Sequence, residues 1–178
     1  MSNKAVIFDR DGVLNELVPR GDISTAPWTI SEFKFLPNAK DAVKLVDYYG
    51  YKTYVVTNQP DVYNGQMTQS TLDTMTKMIE SWLGIEEVVC CQDRNHPSYK
   101  PGSDAFEYLI KMYDIDRDRS YLIGDRWKDI VAGSRSGLKT IFVGSTYTYP
   151  DEYKDIQPDY IVDNVLQACM LIVENDND

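Results

Sequence analysis

The sequence predicts an α/β fold: a parallel sheet with helices on both faces. Three observations point to it. Short apolar runs alternate with amphipathic segments along the chain, with no repeat, linker or shift in composition. Several of those runs end in polar, reactive residues, as strands do where an open parallel sheet meets its ligand crevice. The 178 residues, 43% hydrophobic and 26% charged, suffice for one domain with a buried core, read here as residues 1–178.

Residues 5–8, Ala-Val-Ile-Phe, form a continuous apolar run of the length a fully buried strand takes. Residues 15–36 read as a loop. Asn38 opens a helix over 39–49 that Gly50 closes, and 53–57 form a second strand. Thr68 and Gly84 bracket a helix over 69–83, and 87–90 read as a strand. Ser103 precedes a helix over 104–113, and further strands fall at 120–124, 140–143 and 160–162. Asn164 opens a last helix carrying Leu166, Met170, Leu171 and Val173, followed by a polar tail over 175–178 that frays. Neither the interval from Asp11 to Ala39 nor that from Gln59 to Lys100 is long enough for a separate cap domain. The site is therefore expected to be roofed by loops.

Composition narrows the partners. No run approaches the ~20 apolar residues that span a bilayer, and MSNKAVIF lacks the apolar stretch of a secretory signal. Three cysteines, Cys90, Cys91 and Cys169, argue against a disulfide framework and for a reducing cytoplasm. A net charge of -10 argues against nucleic acid or an anionic membrane as partner. The same charge repels an anionic substrate at long range, so local cations must recruit it: Arg10, Arg20, Lys100 and Arg126.

The first strand delivers Asp9 and Asp11 onto a turn marked by Gly12. In an extended segment residues i and i+2 point the same way, so the two carboxylates can face one site, where their repulsion calls for a cation. A divalent metal, phosphate chemistry or both is the functional reading; a solvated turn is the plain one. The second strand ends in Thr57-Asn58-Gln59, Lys100-Pro101 stands before a helix, and Gly124-Asp125-Arg126 ends another strand, with Asp129 one helical turn on. Taken singly, Thr57 could be a cap, Lys100 a solvated lysine, and Asp125 and Asp129 the acids of a first helical turn. Their order along the chain gives the set its meaning.

Asp9-x-Asp11-Gly12-Val13, Thr57-Asn58, Lys100-Pro101 and Gly124-Asp125-x-x-x-Asp129 resemble the four motifs of the haloacid dehalogenase superfamily of phosphatases. The wording DRDGVLN, TNQ and GDRWKDIVAGSRSG is most similar to the subgroup of D-glycero-D-manno-heptose 1,7-bisphosphate and histidinol-phosphate phosphatases, from about Lys4 to Gly144. The resemblance implies a three-layer, Rossmann-like core without a cap domain. The strands ending at Phe8, Thr57 and Gly124 should lie side by side in its centre.

Phosphate monoesters resist attack because their oxygens are anionic, so a nucleophile must be held close and charge neutralised around it. A carboxylate can serve by forming an aspartyl-phosphate. Asp9 is assigned that role, with Asp11 as general acid and then base. The Thr57 hydroxyl, the Asn58 backbone N–H and Lys100 are assigned to the phosphoryl oxygens, and Arg126 and Arg20 to the substrate beyond them. Mg²⁺ suits hard oxygen donors. The resemblance implies that Asp9 and Asp125 bind it through side chains and Asp11 through its backbone carbonyl. Asp129 is read as orienting a metal-bound water or Lys100, with helix capping as the alternative.

Subgroup members usually carry a Cys/His zinc loop ahead of the lysine motif. Here VVCCQDRNHPSYKPGSD holds Cys90, Cys91 and His96 without the paired spacing, so no zinc is expected. Tyr99 stands where the subgroup often has arginine, and Asp61–Gly65 replaces a stretch that often carries a basic residue. The mouth is therefore expected to lack two positive charges. The 15–36 loop, with Arg20, Pro27 and Trp28, could supply the lost contacts or simply pack.

The expected function is Mg²⁺-dependent hydrolysis of a small phosphorylated metabolite, a sugar phosphate of the heptose bisphosphate type, by a cytoplasmic monomer. The alternatives are histidinol phosphate or another polyol phosphate, a polynucleotide 3′-phosphatase, and a non-catalytic binding protein on the same fold. The acidic chain shows no basic groove for the polynucleotide.

Overall fold

The computed structural model describes residues 2–176. In chain order the elements are β1 (Ala5–Phe8), β2 (Val18–Arg20), β3 (Ile23–Thr25), α1 (Ala39–Tyr48), β4 (Lys52–Asn58), α2 (Pro60–Tyr63) and α3 (Gln69–Leu83). There follow β5 (Glu87–Cys91), α4 (Asp104–Met112), β6 (Tyr121–Gly124), α5 (Trp127–Arg135), β7 (Lys139–Val143), β8 (Tyr160–Val162) and α6 (Val165–Asp176). A six-stranded sheet runs β5-β4-β1-β6-β7-β8 with every pair parallel, and β2-β3 form a separate antiparallel hairpin.

Strand alternation sorts the core into two layers. Val6 and Phe8 of β1, Val55 of β4 and Ile123 of β6 meet Val43, Leu72, Met75 and Cys169 on one face. Ala5 and Ile7, Tyr54 and Val56, and Leu122 meet Phe106, Leu109 and Ala132 on the other. β1 is buried on both faces and flanked on both sides, which a continuous apolar run permits. Its register pairs Phe8 with Val55 and Ile123, so the carboxyl ends of β4, β1 and β6 lie side by side. The chain builds outward from β1 in one direction through β4 and β5, then returns to add β6, β7 and β8 on the other. Such a reversal opens a crevice at the strand ends.

Most element ends match the expected ones to within a residue or two. Thr68 Oγ1 accepts from the Thr71 N–H at 3.1 Å, and Asn164 Oδ1 from the Gln167 N–H at 3.0 Å. Asn38 and Ser103 occupy N-cap positions without such a bond. Three features depart from the sequence reading. The segment 15–36 is not a plain loop but holds the β2-β3 hairpin and a short 3₁₀ turn, Ile30–Glu32. Helix α5 is not among the helices expected above, although Asp125 and Asp129 read as acids of a first helical turn; its residues Asp129, Ile130, Val131, Ala132 and Gly133 are buried in succession. Asn175 and Asp176 belong to α6, where Asp176 pairs with Lys4; the remainder of the expected tail, 177–178, lies outside the described residues.

Among the described residues, no helix is long and apolar enough to cross a membrane. Packing fixes the site through α4, whose Phe106 is fully buried. Phe106→Ala should destabilise the fold by about 3–5 kcal/mol, through lost burial and an unfilled cavity. Tyr48→Ala, at a side chain 84% exposed, should change stability by no more than about 0.5 kcal/mol. Urea unfolding of the two variants measures the contrast.

Candidate active site

The crevice is a cavity of about 250 Å³ lined by residues that end or follow β1, β4, β5 and β6 and by the β2-β3 hairpin. Asp9, Asp11, Asn58, Lys100 and Asp129 are among its lining, with Ser24, Thr25 and Ala26 from the hairpin, Pro60 and Asp61 from α2, and Arg94, Tyr99, Arg126 and Lys128. Asp9 follows directly on β1, and its N–H donates to the Ile123 carbonyl at 2.8 Å.

Lys100 is the centre of the arrangement. Its ammonium donates to Asp9 Oδ1 at 2.8 Å, to Asp129 Oδ1 at 2.6 Å and to the Val56 carbonyl at 2.8 Å. All three of its protons are thereby used. The Asn58 side chain holds the Lys100 backbone from both sides, donating to its carbonyl and accepting from its N–H, each at 3.0 Å. A cis peptide joins Lys100 to Pro101. Burial works against the ammonium, but Asp129 and Asp9 outweigh it and hold the pKa above its ordinary value.

Asp9, Asp125 and Asp129 each offer a carboxylate oxygen within 4.8 Å of the others. With all three carboxylates ionised, as cation binding requires, the one ammonium leaves two negative charges uncompensated. Burial, the neighbouring Asp9 and then Asp129 raise the Asp125 pKa to about 9. Burial and Asp129 raise that of Asp9 to about 6, against the pull of Lys100. Asp125 Oδ1 is buried without a hydrogen-bond partner. An orphaned carboxylate oxygen and a surplus of two negative charges fit a small divalent cation with hard oxygen ligands. Gly12 makes room for the Asp125 carboxylate. Its φ of +83° suits glycine, and a Cβ there would collide with Asp125 Oδ2.

Asp11 is held by its neighbours. Oδ1 accepts from Arg10 at 2.8 Å and from Asn15 at 2.9 Å, and Oδ2 from Gln59 Nε2 at 2.7 Å. Arg10 is fully buried, so this cation positions an acid and does not recruit substrate. Asp129 is committed on both oxygens, since Oδ2 accepts from the Arg126 N–H at 3.0 Å. It therefore serves Lys100 and caps α5 at once.

Other residues stand differently from the sequence reading. Thr57 is fully buried, and its hydroxyl accepts from Gln59 Nε2 at 2.8 Å instead of lining the cavity. Arg20 is outside the lining as well, engaged with Glu32 and Thr25. The expected shortage of positive charge is corrected by Arg94 and Lys128, which join Arg126 on the cavity wall. Arg94 and Lys128 stand 5.9 and 5.6 Å from the centre of the Tyr99 ring. Among the described residues, none of the three cations forms an ion pair with a carboxylate. Burial, then Arg94 and Arg126, hold the Lys128 pKa below its ordinary value. Gln59 and Asn15 are positioning residues that the motif reading passed over. Gln59 is visible in the sequence only as the last letter of TNQ.

Cys90 and Cys91 are consecutive in β5 and fall on opposite faces, one against each core layer. His96 Nδ1 accepts from the Ser98 N–H at 3.1 Å. Among the described residues, the carboxylate group Asp9, Asp125 and Asp129 brings its ligand atoms together, and Cys90, Cys91 and His96 are not part of it.

Folding raises the pKa of Asp9 and Asp125, so without a cation the folded chain keeps protons that the unfolded chain has released. Their contribution to stability is complete below about pH 4, the unfolded carboxylate pKa. It is lost as the pH rises through about 6 and on towards 9. The increase in Tm on adding Mg²⁺ should therefore grow between pH 5 and pH 9 in scanning calorimetry. In Asp125→Asn the growth should largely vanish.

Residues 99–168 match the HAD-hydrolase-like family. The D-glycero-D-manno-heptose-1,7-bisphosphate 7-phosphatase of Chlorobaculum tepidum is 26% identical over 94% of this chain and 92% of its own. The D-glycero-beta-D-manno-heptose-1,7-bisphosphate 7-phosphatase of Haemophilus ducreyi is 29% identical over 93% and 98%. Among solved structures, the D,D-heptose 1,7-bisphosphate phosphatase from B. bronchiseptica, complexed with magnesium and phosphate, superposes with a TM-score of 0.79. It is 17% identical and covers 97% of this chain and 99% of that one. The sheet order, the motifs gathered at its carboxyl edge and these likenesses agree: over nearly its whole length the chain is similar to phosphoric monoester hydrolases of the haloacid dehalogenase type.

Proposed function

We propose that this one-domain, cytoplasmic monomer is a Mg²⁺-dependent phosphatase that removes one phosphate from a heptose bisphosphate, or a closely similar phosphorylated sugar, through an aspartyl-phosphate on Asp9. The observation that carries the reading is the buried Lys100 ammonium joining Asp9 to Asp129 beside the unpartnered oxygen of Asp125. The names of the Chlorobaculum and Haemophilus relatives support the substrate, and the magnesium and phosphate of the B. bronchiseptica enzyme support the cofactor.

The chemistry follows from the side chains. Lys100 occupies one oxygen of Asp9 and leaves Oδ2 to attack phosphorus. As the Asp9–phosphorus bond forms, the bond to the sugar oxygen breaks, and that oxygen takes a proton from the Asp11 carboxyl. A water molecule then attacks the phosphorus, gives its proton to Asp11 and frees Asp9. Arg10, Asn15 and Gln59 keep Asp11 in one orientation through both steps. The Asn58 backbone N–H is the donor for the phosphoryl oxygens and Lys100 offers them its positive charge; Thr57 acts behind them by fixing Gln59. Asp9 and Asp125 would hold Mg²⁺ through their side chains and Asp11 through its carbonyl. Bound there, the ion offsets the surplus negative charge and that of the phosphoryl group. The opposite faces taken by Cys90 and Cys91 support a site that works without zinc.

The cationic wall of Arg94, Arg126 and Lys128 favours a substrate with a second phosphate. The same charges disfavour histidinol phosphate, whose amino group is itself a cation.

Asp9→Asn should lower kcat by at least ~1000-fold, about 4 kcal/mol, with the fold intact. EDTA should abolish turnover and Mg²⁺ restore it, while a zinc-selective chelator leaves the rate unchanged. Near-normal turnover by Asp9→Asn would exclude the aspartyl-phosphate route.

A second measurement concerns the cationic wall. The Arg94→Ala/Lys128→Ala double variant should reduce kcat/KM for heptose 1,7-bisphosphate relative to a heptose monophosphate at least about tenfold, roughly 1.4 kcal/mol. An equal loss on both substrates would assign the pair to the reacting phosphate or the fold.

A further inference from the structure

One wall of the cavity has no part in the reaction just described. Asp61 lines it from the first turn of α2, in a crevice otherwise suited to phosphate. Trp28, just past the hairpin, donates its indole N–H to Asp61 Oδ2 at 3.0 Å. The indole is gripped in turn. The Arg20 guanidinium stacks on it, 3.5 Å from the ring centre, and donates to Thr25 Oγ1 and Glu32 Oε2, each at 2.8 Å. The Trp28 backbone N–H donates to the same Glu32 oxygen at 2.8 Å. A continuous series of contacts therefore runs from the hairpin, whose Ser24 and Thr25 also line the cavity, to the Asp61 carboxylate.

A fixed carboxylate repels phosphate, so the substrate's anionic groups belong elsewhere: one against Lys100, the other against Arg94, Arg126 and Lys128. The indole N–H uses one of the roughly four acceptor sites of the Asp61 carboxylate, and among the described residues no other side chain donates to it. What suits the remainder is a neutral donor carried between two anionic ends. Sugar hydroxyls are such donors.

We propose that Asp61 is a specificity-determining residue that accepts a hydrogen bond from a hydroxyl of the substrate's sugar chain, and that Trp28, backed by Arg20, is its positioning residue. The proposal rests on the sugar phosphatase reading above and deepens it. The substrate class is a polyol with phosphates at its ends and free hydroxyls between them. A phosphate ester without hydroxyls gains nothing from this wall. Arg20 thus acts on specificity from behind, through the indole, without touching the substrate.

The test compares kcat/KM for heptose 1,7-bisphosphate with that for p-nitrophenyl phosphate. The wild-type enzyme comes first: failure on the bisphosphate alongside turnover of p-nitrophenyl phosphate would overturn the sugar phosphatase reading, and this inference with it, before any variant is made. With the wild type active on both, Asp61→Ala should lower the ratio of the two values at least tenfold, mainly through KM of the bisphosphate. Asp61→Asn, which keeps the shape and the acceptor for Trp28, should lower it less. Trp28→Phe preserves a ring for Arg20 but removes the N–H, and should lower the ratio about threefold or more. In the Asp61→Ala background Trp28→Phe should add less than twofold, because its effect passes through Asp61. Equal losses on both substrates in the two Asp61 variants, or full additivity with Trp28→Phe, would overturn the proposal.

Discussion

The Lys100 ammonium is the interaction on which the rest of the site depends. Its three protons are taken by two carboxylates and one strand carbonyl, so it fixes the distance between β1, β4 and the start of α5. A buried charge of this kind is tolerable only when its partners are complete. Their completeness still leaves a surplus of negative charge around Asp9, and burial together with that surplus raises the Asp125 pKa. The same contacts that satisfy the lysine create the vacancy of charge that a divalent cation answers. Stability and chemistry are coupled through one side chain.

The electrostatics are arranged in opposition at two scales. The whole chain carries -10 and repels phosphate esters from a distance, whereas three cations without a carboxylate partner among the described residues stand on the cavity wall. Long-range repulsion is screened within about 8–10 Å at physiological salt, so it does little at contact distance. Local cations decide binding, and their lack of carboxylate partners leaves them free for a ligand. Arg10 illustrates the contrast. Equally basic and adjacent to the motif, it is spent entirely on holding Asp11 in place.

The central architecture was legible because its signals are local and periodic. The apolar runs give strands, Thr68 with Gly84 brackets a helix, and the order of Asp9, Thr57, Lys100 and Asp125 marks the carboxyl edge of the sheet. The site's floor was legible for the same reason. What escaped depends on tertiary context. The hairpin strands are only three residues long and one contains Pro19, so the Gly21-Asp22 pair was the sole turn signal. Arg94 and Lys128 carry no motif; they reach the cavity because the 92–99 turn and the first turn of α5 converge on it. Thr57 and Arg20 have the right chemistry and adjacent positions, but Gln59, Glu32 and Trp28 claim their polar groups first. Composition reveals which cations exist. Only packing reveals which are free.

The strand order has a consequence for how the protein is made. β1 is synthesised before the other strands of the sheet, yet Val6, Ile7 and Phe8 find one of their two partner strands only at Tyr121, Leu122 and Ile123. Until then the nascent chain can assemble β1, β4 and β5 into half a sheet, with Asp9 at an open edge and one flank of β1 unpaired. Such an edge is a site for unwanted strand pairing. Arrival of β6 covers that flank and brings Asp125 and Asp129 to the same edge in one motion. Pairing the second flank of β1 and completing the acidic cluster are one event in biosynthesis, so a chain stalled before β6 lacks both together.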